Sequence, residues 1–366
     1  MINEDVTTVK PVKKESSNRN LVMPRWVGTV VVLGMLALLI IPSIRTLSFN
    51  VWFGSLATGL SFAFVALGVY ISFRILDFPD LTIDGSFPLG AAIAAVMIMA
   101  GFNPYLTLPA AFLAGALAGM VTARIATGLG IHSLLASILT TTALISINLR
   151  IMGRSNIPLL NEATIFTPFA APFQEWLESW GGETLLRLAN SLLVILLVGA
   201  LVIVVKLLFD WLMRTEWGLS LRATGDNPQM IRALGTDTNK MILLGLALSN
   251  GLVGLSGAIF AQYQGFADVG MGVGLIIAGL AAVIVGQTLF RPKGIAAATT
   301  AVILGMILYR IVIAAALNIK IPLLGGNVFR IGAQDVKLAT AVLVLIALWF
   351  TRMQKKKRKS QNHVTH

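Results

Sequence analysis

Two segments of this chain place polar residues where apolar helices would otherwise run on. The first, Phe78-Pro-Asp80-Leu-Thr82-Ile-Asp84-Gly-Ser86, sets carboxylates and hydroxyls at alternate positions and is followed by Pro88 and Gly90. The second, Asp268-Val-Gly-Met-Gly-Val-Gly274, alternates glycine with other residues behind a carboxylate, and Gln287 follows further on. Such groups at a helix break can contact a small polar solute, or they can cap the amides that the break sets free. Both readings stand for Phe78, Asp80, Thr82, Asp84, Ser86, Asp268 and Gln287, with capping the simpler one for Thr82 and Ser86.

Other chemistry has little to work with. The chain has no cysteine and 3 histidines, two of them in the last few residues, so thiolate nucleophiles and disulfides are excluded. No H-E-x-x-H, acidic calcium loop or G-x-x-x-x-G-K-[ST] occurs, so neither metal catalysis nor ATP hydrolysis has a visible site. His132, beside Gly130 and Ser133, reads as a capping or interfacial residue. Arg310 lies well inside an apolar run, where it either reaches outward along its aliphatic stem or pairs with Asp268.

The elements that position these residues follow from composition. Of 366 residues 56% are apolar and only 12% charged, against about 25% charged in an ordinary soluble domain. Too few polar side chains exist to cover a globule of this size, so lipid must cover the rest. A helix needs about 20 apolar residues to cross a bilayer. Ten runs approach that length: 26–44, 52–75, 84–100, 105–127, 131–149, 188–209, 240–262, 272–290, 294–317 and 335–352. The third is the least regular, because Pro79, Gly85, Pro88 and Gly90 interrupt its start. The first run is too long for a cleavable signal core and lacks a small-x-small cleavage site, so it reads as a retained span.

The net charge of +12 is carried in short clusters between apolar runs, which suits a topology signal better than a nucleic-acid surface. With the amino terminus cytoplasmic, about twenty of the 28 basic residues fall inside. The expectation is therefore an all-α integral membrane protein of about ten spans. Basic cytoplasmic tails at 1–25 and 353–366 flank a membrane domain at 26–352. Spans two to five and seven to ten run in opposite senses around the sixth, as inverted repeats do in transporters, with the two polar segments in corresponding places. Broken helices of this kind border a cavity rather than lipid.

Two connections exceed a turn. The outer one, 150–187, spaces Phe169, Phe173, Trp176, Leu177 and Trp180 along one helical face, suited to lying flat at the interface or to docking an external partner. The inner one, 210–240, reads as a short helix: Asp226 or Asn227 caps it, Pro228 fills its first turn, and Gly235 ends it. Met230, Ile231 and Leu234 share a face that either the membrane surface or another protein must cover.

From Gly218 to Gly294 the sequence resembles permease subunits of bacterial ABC importers in the branched-chain amino acid, ribose and nucleoside permease superfamily. The resemblance rests on Asp226-Asn-Pro-Gln-Met-Ile-Arg-Ala-Leu-Gly235, on Ser249-Asn-Gly-Leu-Val-Gly-Leu-Ser-Gly-Ala258, and on Ala281-Ala-Val-Ile-Val-Gly286, where Gln287 replaces a usual second glycine. Asp80-Leu-Thr-Ile-Asp-Gly-Ser86 is similar to the family's D-L-S-V-G-S, with Thr82 for serine and Asp84 added. The form L-T-I-D-G-S-F-P-L-G is closer to a less studied branch, often paired with a binding protein suspected of carrying aromatic amino acids. The likeness covers about 70 to 350.

This resemblance implies a bacterial inner-membrane subunit with no enzymatic activity or cofactor of its own. It would translocate a small polar solute, an amino acid or related compound, delivered by an external solute-binding protein. A second permease copy, forming a homodimer, and cytoplasmic ATPases that bind ATP and Mg²⁺ would complete the assembly. Asn227, Pro228, Met230, Ile231, Arg232, Leu234 and Gly235 would couple the subunit to the ATPases. The alternative is a stand-alone secondary carrier or facilitator, supported by the inverted halves and weakened by the scarcity of membrane carboxylates. A membrane enzyme ranks third, since no constellation of nucleophile, base and metal can be assembled.

Overall fold

The structure, a computed structural model, describes residues 49–179, 183–317, 320–322 and 328–330. The expected spans at 26–44 and 335–352, both basic tails and Trp180 lie outside the described residues. The other expected runs coincide with helices. Phe49–Ser61 (α1) bends into Ala63–Val69 (α2), which widens into a π turn at Tyr70–Ile75. Then follow Ile83–Met99 (α3), Pro104–Leu129 (α4) and Ser133–Met152 (α5). A short strand Asn156–Pro158 (β1) leads to Thr167–Ser179 (α6) and the long Glu183–Leu212 (α7). Glu216–Asp226 (α8) and Pro228–Ala233 (α9) precede Thr238–Gln264 (α10). Strand Phe266–Asp268 (β2) and a 3-10 turn at Val269–Gly272 bring the chain into Leu275–Phe290 (α11), followed by Ile295–Leu317 (α12). Lys320–Pro322 (β3) pairs antiparallel with Val328–Arg330 (β4).

Among the described residues 6 helices are long and apolar enough to cross a membrane, or up to 7 when the bent pair α1 and α2 counts as one span. The expected count of about ten is not confirmed, since two of the ten expected runs lie outside the described residues. At 17 residues, α3 is shorter than a usual span because its polar start, 76–82, is drawn into the bundle as non-helical chain.

Helix ends follow local chemistry. Asn103 accepts the amide of Tyr105 at 3.0 Å with Pro104 in the first turn of α4, and His132 Nδ1 accepts the amide of Leu134 at 3.3 Å to open α5. His132 is thus a cap.

The core is built around α10, which packs between α3 and α4 and also crosses α2. Glycine makes this possible. A Cβ on Gly115 would overlap the carbonyl of Asn250, one on Gly119 that of Leu246, and one on Gly90 that of Gly254. Backbones meeting this closely exchange dispersion contacts that larger side chains would block. The outward faces of α4, α5 and α7 carry Leu113, Leu117, Leu135, Leu139, Leu196 and Leu207, all exposed, which is the apolar surface a bilayer covers.

The bundle has two distinguishable ends. At one, β1 and β2 pair antiparallel with Ile157 opposite Ala267, and α6 lies alongside with Phe173 stacked on Trp176 and Leu177 buried. At the other lie α8 and α9.

Candidate functional site

The segment 78–86 enters the bundle after a tight reversal in which Asp77 takes a left-handed backbone, φ 51°. Once inside, its polar groups are bound from several directions. Asp80 is fully buried; its Oδ1 accepts the amide of Thr82 at 2.9 Å, and its Oδ2 accepts Asn250 Nδ2 at 2.6 Å. The same Asn250 accepts the hydroxyl of Ser86 through Oδ1 at 2.7 Å. Thr82 Oγ1 lies 2.7 Å from Thr122 Oγ1 on α4, while Thr141 on α5 donates to the carbonyl of Leu81 at 2.8 Å. Asn148 Nδ2 donates to the carbonyl of Gly85 at 3.2 Å. A broken helix inside an apolar bundle needs this kind of satisfaction, since unpaired backbone groups are costly there.

Asp84 reaches across to the other polar segment. Its Oδ2 accepts the amide of Gly274 at 3.0 Å and its Oδ1 that of Ile276 at 2.9 Å, so a carboxylate from the first turn of α3 caps the start of α11. The glycine alternation explains how α11 comes so near. A Cβ on Gly272 would overlap the carbonyl of Asp84, and Gly274 takes φ 81°, a left-handed conformation that suits glycine. The two segments singled out in the sequence therefore meet in space.

The seven pathway candidates do not form one cluster. Asp80, Thr82 and Ser86 share the Asn250 network, and Asp84 joins it to α11. Phe78 is buried just outside it, donating its amide to the carbonyl of Ser72 at 2.8 Å. Asp268 sits at the β1–β2 end, capping the 3-10 turn through the amide of Gly270 at 2.7 Å. Gln287 lies in the last turn of α11, toward the opposite end. Asn250, Thr122, Thr141 and Asn148 escaped sequence reasoning. A lone asparagine in the glycine-rich run Ser249-Asn-Gly was the available signal for the first of them.

Arg310 follows neither expectation. Asp268 is engaged elsewhere, and the guanidinium points to the interior, its carbon 3.6 Å from the centre of the Phe62 ring.

At the far end the expected short helix is present as α9, and a further helix, α8, precedes it on the same connection. Thr215 caps α8, and Asn227 caps α9 by accepting the amide of Met230 at 3.0 Å; Gly235 follows with φ 89°. Arg232 binds Thr238 Oγ1 at 2.6 Å and so ties α9 to the start of α10. Pro228 occupies the first position of α9. The apolar face divides: Ile231 is buried, whereas Met230 is 53% and Leu234 71% exposed. Beneath them α8 rests on the π turn, where a Cβ on Gly225 would overlap the carbonyl of Ile75.

Comparison with known proteins agrees with this architecture. Residues 51–349 match the family model described as branched-chain amino acid transport system / permease component. A tyrosine transport system permease protein of Clostridioides difficile is 37% identical over 289 residues, covering 79% of this chain and 87% of that protein. An uncharacterised protein of Rickettsia prowazekii is 35% identical over 241 residues, 66% of this chain and 78% of its own length. The autoinducer 2 import system permease protein LsrC of Salmonella typhimurium is 26% identical over 208 residues, 57% of this chain and 54% of its own. No solved structure matches the chain significantly.

Proposed function

The chain belongs to the branched-chain amino acid transport system permease family, and from that premise we propose that it is the membrane-spanning subunit of an ATP-binding cassette importer for a small polar solute. The solute is an amino acid or related compound, in keeping with the tyrosine transport permease among its relatives. An external binding protein delivers it at the end carrying α6, and cytoplasmic ATPases holding ATP and Mg²⁺ engage α9. Two copies of the chain enclose the pathway, and both termini are cytoplasmic.

The observation that carries this reading is the exposed pair Met230 and Leu234 beside the buried Ile231 on a short, firmly capped helix. An apolar tip on a rigid helix outside the membrane wants a protein cover. Its seating suits force transfer, because α8 contacts the π turn at Ile75, from which the chain runs directly into the Asp80 segment. ATP-driven movement of the partner would push on α8 and α9 and rock the halves that Asp84 joins.

The test is purification of the tagged chain from its native membrane in mild detergent, with mass spectrometry of retained proteins and an ATPase assay. Retention of an ATPase subunit is expected for the wild type, and its loss for Met230→Glu with Leu234→Glu. A chain that carries no ATPase yet moves solute in liposomes would overturn the reading in favour of a stand-alone carrier.

A further inference from the structure

The span Phe49–Ile75 is bent by 40° at its middle residue, Phe62. The preceding carbonyl, of Ser61, is taken by the hydroxyl of Ser256 on α10 at 2.5 Å. A cluster found by neither the sequence motifs nor the polar network forms at this bend. Phe62 stacks on Phe87 of α3 with ring centres 5.2 Å apart and meets Phe260 of α10 edge-on at 4.6 Å, so three elements contribute one aromatic wall. Arg310 reaches it from α12. The approach depends on Gly59, where a Cβ would stand 3.0 Å from Ile307 Cα and 3.6 Å from Arg310 Cβ.

Stacking on Phe62 occupies the face of the guanidinium and leaves its in-plane N–H groups to be satisfied by something else. Among the described residues nothing satisfies Arg310 Nε, although it is buried, and no carboxylate pairs with the group. The contrast with the rest of the interior is sharp, since Asp80, Asp84 and Asp210 all have bonded partners. A cation within a membrane bundle is costly unless paired, and a guanidinium fork matches the two oxygens of a carboxylate. The guanidinium lies against the buried ring of Phe62, itself stacked on the buried Phe87, inside the bundle, so a passing solute fits the position better than a lipid phosphate.

We propose that Arg310, braced on Phe62, binds the carboxylate of the carried solute, whose apolar part rests against Phe260. This deepens the importer reading and rests on it. The site restricts the solute to compounds that bear a carboxylate, which separates amino acids from the sugars and nucleosides carried elsewhere in the superfamily.

The test compares uptake of labelled L-tyrosine, L-leucine, D-ribose and uridine in native cells with and without the chain, then with Arg310→Lys and Arg310→Gln. Uptake of an amino acid is expected to depend on the chain. Arg310→Lys should raise its KM about tenfold, and Arg310→Gln should abolish uptake, as losing charge-assisted hydrogen bonds requires. The ATPase subunit should copurify equally with both variants. Chain-dependent uptake of ribose or uridine alone would overturn the carboxylate site and leave the importer reading standing. If neither amino acid depends on the chain, the carboxylate site is overturned, while the importer reading is decided by ATPase retention. A wild-type KM in both variants, or loss of ATPase retention alongside uptake, would reduce Arg310 to a structural role and overturn the proposal.

Discussion

Asn250 donates to Asp80 at 2.6 Å and accepts from Ser86 at 2.7 Å, so a single amide on α10 holds both ends of the broken start of α3. The carboxylate it serves is completely buried, which makes the amide's removal costly. Asn250→Ala should destabilise the purified chain by about 2 kcal/mol, the scale of leaving a buried polar group unsatisfied. Adding Asp80→Ala should cost little more, because the second change removes the carboxyl group left without its partner. Thermal melting in detergent checks this; additive losses in the double variant would show that the two side chains act independently.

Asp84 gives a different result because its partners are backbone amides. Asp84→Ala should loosen the start of α11 by about 1 kcal/mol, as loss of a cap does, while the chain still reaches the membrane. Asp84→Asn keeps one acceptor and should lie between the two. Hydrogen exchange at Gly274 to Ile276, read by mass spectrometry, should rise in that order. Equal protection in all three forms would rule the cap out.

Close backbone approach between α4 and α10 predicts the sharpest packing defect. At Gly115 any side chain meets the carbonyl of Asn250, which cannot move without disturbing Asp80. Gly115→Leu should therefore lower the amount of folded protein severely, whereas Gly128→Leu, on the same helix with open space around it, should be tolerated. Size-exclusion profiles of fluorescently tagged variants distinguish them.

A pH dependence is expected at the start of α10. The amide of Lys240 foremost, with the Lys240 ammonium and the amide of Asn239, holds the Asp237 carboxyl below its ordinary range. A lowered folded pKa means that its stabilisation is present above the unfolded carboxylate pKa and is lost as pH falls through the folded one. Asp237→Asn should flatten the melting curve between about pH 5 and 3 by lowering stability slightly at neutral pH, where the carboxylate contributes, and should leave the acid end nearly unchanged. Because the group is fully exposed, the effect should be small and should shrink with added salt.

Much of the fold was legible because lipid imposes length and apolarity on every span, and caps such as Asn103-Pro104 and Asn227-Pro228 mark helix starts locally. Other features depend on distant chain and leave no periodic trace. The bend at Phe62 arises inside an unbroken apolar run with neither proline nor glycine at the break, through crossing contacts with α10 and α12. The short cytoplasmic helix expected from Asn227 and Pro228 is α9, whereas α8, opened by Thr215, lies outside that motif. For Arg310, sequence offered an acid as its partner, and an aromatic face cannot be inferred from charge.

The bond from Asp84 to Gly274 spans 190 residues, and that from Asn250 to Asp80 spans 170. A ribosome adding about 5 to 20 residues each second leaves α3 without these partners for on the order of ten seconds after it has entered the bilayer. Chains arrested before residue 238 should expose the Asp80 segment to water-borne thiol reagents at an introduced cysteine, and chains arrested after residue 290 should not. The first half of the protein thus inserts unfinished, with its carboxylates kept wet, and the later helices close it.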